Sequence, residues 1–157
     1  NYDPGIYTDM SAIRKELAPL FQNSKRVLNL YAYTGAFSNF AFVSGAQEVC
    51  SVDISDAYMQ ELEENLKINN YDLTQHRSMV MSVKKALNTL ISEDKKFNLI
   101  ICDPPTSSSD GSKRTNALRD YETTLFNFSK LLSSNGKLVI FLNTHKVNKN
   151  KFKQKIE

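Results

Sequence analysis

The chain has 157 residues, enough for one compact domain with its own hydrophobic core, and its 41% hydrophobic and 24% charged residues are those of an ordinary globular protein. No apolar run is long enough to span a bilayer, and Asn1-Tyr2-Asp3-Pro4 has no signal-peptide pattern, so neither a membrane span nor a leader is expected. The net charge of +3 is concentrated at the end, where Lys146, Lys149, Lys151, Lys153 and Lys155 face only Glu157; either a solvated helix face or a phosphate-contacting edge fits this pattern.

Strand-like and helix-like patterns alternate along the chain. Ser11 is expected to cap a helix carrying Ile13, Leu17, Leu20 and Phe21. Arg26 to Tyr31 is a short strand, and Thr34-Gly35 leads into a helix through Val43. Glu48 to Asp53 is a second strand, after which Asp56 is expected to cap a helix with Met59, Leu62 and Leu66 on one side. His76 to Met81 is a third strand, and Ser82 caps a helix with Val83, Leu87, Leu90 and Ile91. Phe97 to Cys102 is nearly all apolar, as a central parallel strand covered on both faces should be. A polar loop follows over 103–116, then a helix marked by Tyr121, Leu125, Phe128 and Leu132, a fifth strand from Lys137 to Leu142, and the start of a last helix at Phe152 and Ile156.

This order predicts an α/β fold: an open, doubly wound, mostly parallel sheet with right-handed crossovers and helices on both faces. A ligand in such a sheet lies beyond the carboxyl ends of the strands. The residues to inspect are therefore Tyr31 to Gly35, Asp53 to Ser55, Met81-Ser82, Asp103 to Thr106 and Asn143 to Lys146. The chain opens without Met and stops inside a helical pattern, so residues 1–157 are expected to be one domain of a longer protein. Cys50 and Cys102 sit in apolar runs, which fits a reducing cytoplasm better than a disulfide framework. With only His76 and His145 beside them, no metal centre is expected.

The first strand ends in Asn29-Leu30-Tyr31-Ala32-Tyr33-Thr34-Gly35. Gly35 allows close backbone approach, and the next helix offers its first amides. Tyr33 stands where G-x-G-x-x-G needs glycine, and the Gly-Lys-Ser/Thr of a P-loop is absent, so dinucleotide and ATP sites are disfavoured. Asp53, ending the second strand, can accept both hydroxyls of a ribose; capping the next helix is the plainer reading, but Ser55 and Asp56 already supply caps. Asp103-Pro104-Pro105-Thr106 follows the fourth strand. Prolines lack amide hydrogens and fix φ, so this rigid turn can aim carbonyls and the Asp103 carboxylate at a substrate nitrogen.

V-L-N-L-Y-A-Y-T-G-A-F-S, S-V-D-I-S, N-L-I-I-C-D-P-P-T and S-K-R, in this order, resemble the bacterial large-subunit ribosomal RNA methyltransferases, both the cytosine-C5 enzymes and the guanine-N7 half of a bifunctional enzyme. G-I-Y-T-D at Gly5 to Asp9 resembles the segment preceding the core in both. The resemblance covers nearly the whole chain. It implies a Rossmann-like fold, S-adenosylmethionine as cofactor, RNA as partner and a cytoplasmic setting. It further implies a cofactor pocket built from Tyr31, Thr34, Gly35, Asp53 and Asp103 and closed by Asp9 and Arg14, with Ile54 and Ser82 lining it. The family continues through two further strands, so the sheet in this chain is expected to lack its final strands.

Three residues depart from the family pattern. Ser11 stands for an arginine, Ser82 for the aspartate that meets the adenine amino group, and Ser107 for an aromatic. Ser82 can cap a helix but supplies no charged acceptor. These departures leave a second reading, a degenerate domain that binds RNA or a protein without catalysis.

Cytosine C5 is not nucleophilic, so its methylation needs a thiolate from the loop after the fourth or fifth strand. Those loops read D-P-P-T-S-S-S and N-T-H-K and hold no cysteine; strand alternation turns Cys102 away from Asp103, into the core. Guanine N7 has an exposed lone pair and needs only alignment with a sulfonium methyl. Asn143-Thr144-His145-Lys146 is closer to the asparagine-and-basic segment of the guanine-N7 branch than to the cysteine-bearing segment of the other, so the resemblance implies methylation of a ring nitrogen, guanine N7, with Asp103 and Pro104 at the reacting centre. Thr106, Lys113, Arg114 and Lys146 are expected to meet the RNA, whose target base must be splayed out to reach the methyl group.

Overall fold

A computed structural model of the chain describes residues 10–105, 107–108, 115–116 and 125–141. In chain order the elements are α1 (Met10–Gln22), β1 (Arg26–Leu30), α2 (Ala36–Val43), β2 (Glu48–Asp53), α3 (Asp56–Ile68), β3 (His76–Val80), α4 (Val83–Ser92), β4 (Phe97–Cys102), β5 (Ser107–Ser108), β6 (Thr115–Asn116), a helix α5 over 125–131, and β7 (Leu132–Ile140). The main sheet has the order β3-β2-β1-β4-β7, with every pair parallel. The chain builds outward from β1 to β3, then returns to β1's other side with β4. The strand order therefore reverses between β1 and β4, where this architecture opens a crevice. Among the described residues, no helix is long and apolar enough to cross a membrane.

Two apolar layers follow from the two-residue period of the strands. Leu28, Leu30, Cys50, Val52, Ile100 and Cys102 face α4 and α5, where Leu87, Leu90, Phe128 and Leu131 cover them. Val27, Val49, Leu99 and Ile101 face the other way, toward Phe21 of α1, Phe37 and Phe42 of α2, and Leu62 and Leu66 of α3. Burial on both faces explains why β4 reads as a continuous apolar run.

The second layer contains a polar seam. Asn29 Nδ2 donates to Ser38 Oγ at 2.9 Å, Ser38 Oγ lies 2.8 Å from Ser51 Oγ, and Ser51 Oγ lies 2.8 Å from His76 Nε2. Donation from Ser38 to Ser51, and from Ser51 to a neutral imidazole, satisfies the whole chain; this hydrogen assignment is one the distances allow. The seam joins β1, α2, β2 and β3, so it fixes where α2 sits over the sheet.

Four boundaries differ from the sequence reading. α1 begins at Met10, so Ser11 lies inside its first turn and not before it. The cap of α3 is Ser55, whose Oγ accepts the Tyr58 amide; Asp56 is already helical and accepts instead from Gln60. Leu132 belongs to β7, not to the preceding helix. There the stretch from Leu132 to Lys137 opposes only Phe97 to Leu99, with Asn135 in the left-handed region at φ 64°. The polar loop after β4 holds the short antiparallel pair β5–β6. The proposed last helix, at Phe152 and Ile156, lies outside the described residues.

The polar seam predicts a pH dependence. Burial lowers the His76 pKa below its ordinary 6.5, with Glu63 acting in the opposite sense. The unfolded chain therefore takes up this proton first, and His76's contribution to stability is full above pH 6.5 and lost as pH falls toward the folded-state pKa. Urea unfolding between pH 7.5 and 5 should show this loss, and His76→Gln should flatten it. Identical pH profiles for the two proteins would refute the assignment.

Candidate functional site

The strand ends are level. Leu30 pairs with Val52 on one side and Cys102 on the other, and Asp53 pairs with Val80. This register brings Tyr31, Thr34, Gly35, Asp53, Ile54, Ser82, Asp103 and Pro104 to one edge of the sheet.

The loop after β1 has an unusual backbone. Tyr31 and Tyr33 adopt φ of 59° and 50°, and Gly35 follows at 85°. The left-handed region is disfavoured for residues with a Cβ, and such conformations persist only where surrounding contacts hold them. Here the contacts are specific. The Ala32 amide donates to the Val52 carbonyl at 2.9 Å, the Gly35 amide to the Ala32 carbonyl at 3.0 Å, and the Tyr33 amide to Asp53 Oδ2 at 2.9 Å.

Gly35 is required twice over. Its φ suits glycine, and a Cβ there would stand 2.3 Å from Leu62 Cγ, so its bareness is what lets α3 pack against the turn. Three asparagines hold the same turn from behind. Asn65 Nδ2 donates to the Thr34 carbonyl at 3.2 Å, and Asn39 Nδ2 to the Gly35 carbonyl at 3.1 Å. Asn69 Nδ2 donates to Asn39 Oδ1 at 3.1 Å and to the Asn65 carbonyl at 2.8 Å.

Asp53 is half-buried and anchored through both oxygens. Oδ2 accepts from Tyr33 and Oδ1 accepts the Ser55 amide at 3.0 Å. An ionised carboxylate offers about four acceptor positions, so these two bonds leave capacity for a ligand's hydroxyls. Beside it Ile54 is 63% exposed, a large apolar side chain just past the end of β2. Asp53 also receives the Met81 amide on its carbonyl at 2.9 Å, which ties the β3 exit to the same point. Ser82 Oγ accepts the Lys85 amide at 3.4 Å and caps α4, the structural role foreseen for it.

On the other side of the crevice Asp103 is half-buried, Pro104 buried and Pro105 exposed. The Phe141 amide donates to the Cys102 carbonyl at 2.9 Å and carries the β4–β7 pairing past the strand end. Both cysteines are buried, Cys102 on the face that meets α4 and α5. Burial pushes the Cys50 thiol up to about 12. Arg14 lies in α1, but its side chain, like Asp9, Thr106, Lys113, Arg114 and Lys146, falls outside the described residues.

Sequence reasoning missed Asn39, Asn65 and Asn69. Asparagine is a poor interior helix residue, so two of them four residues apart in E-N-L-K-I-N at the end of α3 were an available signal for a backbone-binding role.

A family profile described as S-adenosylmethionine-dependent methyltransferase matches residues 1–154. The chain belongs to that family. Among these methyltransferases, it is 34% identical over 137 residues to ribosomal RNA large subunit methyltransferase K of Neisseria meningitidis, covering 85% of this chain and 38% of that protein. It is 36% identical over 159 residues to methyltransferase K/L of Shewanella woodyi, covering 99% of this chain and 21% of that one. The fold superposes with a TM-score of 0.85 on SMU.776, described as a methyltransferase and crystallised with SAH, at 28% identity over 97% of this chain and 40% of that one. The chain thus spans two fifths or less of each of these relatives.

Gly35→Ala should destabilise the domain by about 1–3 kcal/mol through overpacking and backbone strain. Adding Leu62→Ala should recover part of the overpacking loss, so the two changes are non-additive in thermal or urea unfolding. Simple additivity would show that the Gly35–Leu62 contact is not the reason for the glycine.

Proposed function

We propose that this domain binds S-adenosylmethionine at the carboxyl edge of β1 and β2 and transfers its methyl group to RNA, a large-subunit ribosomal RNA, at guanine N7. Asp53 carries the reading. Its carboxylate is oriented by the Tyr33 and Ser55 amides and retains acceptor positions suited to the two hydroxyls of a ribose. Exposed Ile54 offers an apolar face for an adenine ring. The left-handed turn at Tyr31 to Gly35 brings bare backbone to the same crevice. Arg14 and Asp9 would close the site from the N-terminal side, and Ser82 would contact the adenine without the charge an aspartate brings.

The cofactor supplies an electrophilic methyl on a sulfonium. The protein's task is to bind the base, align it and keep water out. In this reading Asp103 and the rigid Pro104 turn hold the base, while Thr106, Lys113, Arg114 and Lys146 hold flanking RNA. The two cysteines support a ring nitrogen over cytosine C5. Both are buried, and burial keeps Cys50 in its thiol form, so neither is placed to attack a base. A domain that binds without catalysis rests on the departures at Ser11, Ser82 and Ser107 alone.

Asp53→Ala should weaken S-adenosylhomocysteine binding by about 1–3 kcal/mol, the usual loss for charge-assisted hydrogen bonds, in calorimetry on folded protein. An unchanged dissociation constant would remove the ribose role. Transfer of a tritiated methyl group from S-adenosylmethionine to ribosomal RNA, followed by nucleoside analysis, tests the reaction. The expected product is 7-methylguanosine; 5-methylcytidine would overturn the choice of atom, and no transfer to RNA would overturn the substrate class.

A further inference from the structure

We propose that Tyr58 is a positioning residue of this site: its ring holds Tyr33 in the left-handed conformation that points the Tyr33 amide at Asp53, and so sets the affinity of the crevice for the adenosyl group. The proposal rests on the cofactor reading above and extends it to a residue on α3 that neither the motifs nor the strand ends singled out.

The geometry is a closed circuit. The Tyr33 and Tyr58 rings meet edge to face, with centroids 4.5 Å apart and planes at 66°. The Tyr58 amide donates to Ser55 Oγ at 3.3 Å. The Ser55 amide donates to Asp53 Oδ1 at 3.0 Å, and the other carboxylate oxygen accepts the Tyr33 amide at 2.9 Å. The path from Tyr33 through Tyr58, Ser55 and Asp53 thus returns to Tyr33, and the carboxylate proposed to bind ribose is one of its links.

Tyr33 needs such a partner. At φ 50° it occupies a region that a residue with a Cβ leaves readily when unsupported, and leaving it would swing its amide off Oδ2. Tyr58 is well suited to support it. It sits in the first turn of α3, a helix fixed by buried Met59, Leu62 and Leu66, so its ring moves little relative to β2. It is also 36% exposed, so filling the core does not account for its ring. An aromatic pair in this geometry is worth about a two- to tenfold change in an equilibrium constant beyond its burial. Affinity falls in proportion to the fraction of molecules holding the competent loop, so ligand binding weakens by up to the same factor, and by the whole of it only where the open loop is the larger population.

Tyr58→Leu keeps apolar bulk and removes the ring, while Tyr58→Phe keeps the ring and removes only the hydroxyl. Hydrogen exchange at the Tyr33 amide, read by NMR on the whole chain, should quicken about two- to tenfold in Tyr58→Leu and stay at the parent rate in Tyr58→Phe. The amides of Leu28 and Val52 in the strands should be unchanged in both. S-adenosylhomocysteine binding by calorimetry should weaken in Tyr58→Leu only, by a factor no larger than the rise in Tyr33 exchange, at most about tenfold. The proposal is overturned if Tyr58→Leu matches the parent in both measurements. It is equally overturned if strand amides quicken as much as Tyr33, since that is a general loss of stability, or if Tyr58→Phe is as impaired as Tyr58→Leu. A parent protein that does not bind S-adenosylhomocysteine would instead overturn the cofactor reading and the affinity claim with it, while the exchange rates would still decide whether Tyr58 clamps the loop.

Discussion

The carboxylate of Asp53 holds the carboxyl edge of the sheet together. One oxygen fixes the loop after β1 through Tyr33, and the other fixes the start of α3 through Ser55. Its own carbonyl fixes the exit from β3 through Met81. Three chain segments that leave the sheet in different directions are thereby registered on one residue. Hydrogen bonds to a charged acceptor are the stronger kind, and these use backbone donors that cannot rotate away. A carboxylate oriented in this way reaches a ligand without first having to be ordered, which lowers the cost of binding.

The rest of the domain makes that arrangement possible. β1 lies between β2 and β4 and is covered on both faces, so Leu30 and the loop that leaves it start from a rigid platform. The seam from Asn29 to His76 sets α2 over the sheet, and Gly35 is the N-cap of α2. Leu62 of α3 occupies the space that a Gly35 side chain would need, and Asn65 reaches from the same helix to the Thr34 carbonyl. Core packing and loop geometry are therefore coupled through α3. A substitution on its buried face acts on the site as well as on stability.

Much of this was legible in the sequence. The alternation of strands and helices, the apolar run of β4 and the positions of Gly35, Asp53 and Asp103 at strand ends all follow from periodicity and punctuation. Cys102 lies in the core, as strand alternation required. The misses have physical causes. Ser55 and Asp56 are both good caps, and only the backbone angles decide that the helix starts after Ser55. Leu132 fits the apolar face of the preceding helix, but its backbone pairs with Phe97, and the left-handed Asn135 turns the chain back into register. The left-handed tyrosines were not legible at all, because nothing in a tyrosine announces positive φ; long-range contacts to Asp53 and Tyr58 hold Tyr33 there. The partner of Asn65 was hidden for a related reason, since it is the carbonyl of Thr34, far away along the chain.

The central claim is that the cofactor site is the crevice organised by Asp53. The most direct measurement is a titration of the isotope-labelled chain with S-adenosylhomocysteine, followed through its backbone amide resonances. The account predicts saturable shifts at Tyr33, Gly35, Ile54 and Ser55, with the amides of Arg26, Glu48 and Phe97 at the opposite end of the strands unaffected. Saturation with the largest shifts at that opposite end, or no shift at Tyr33 and Ser55, would contradict it.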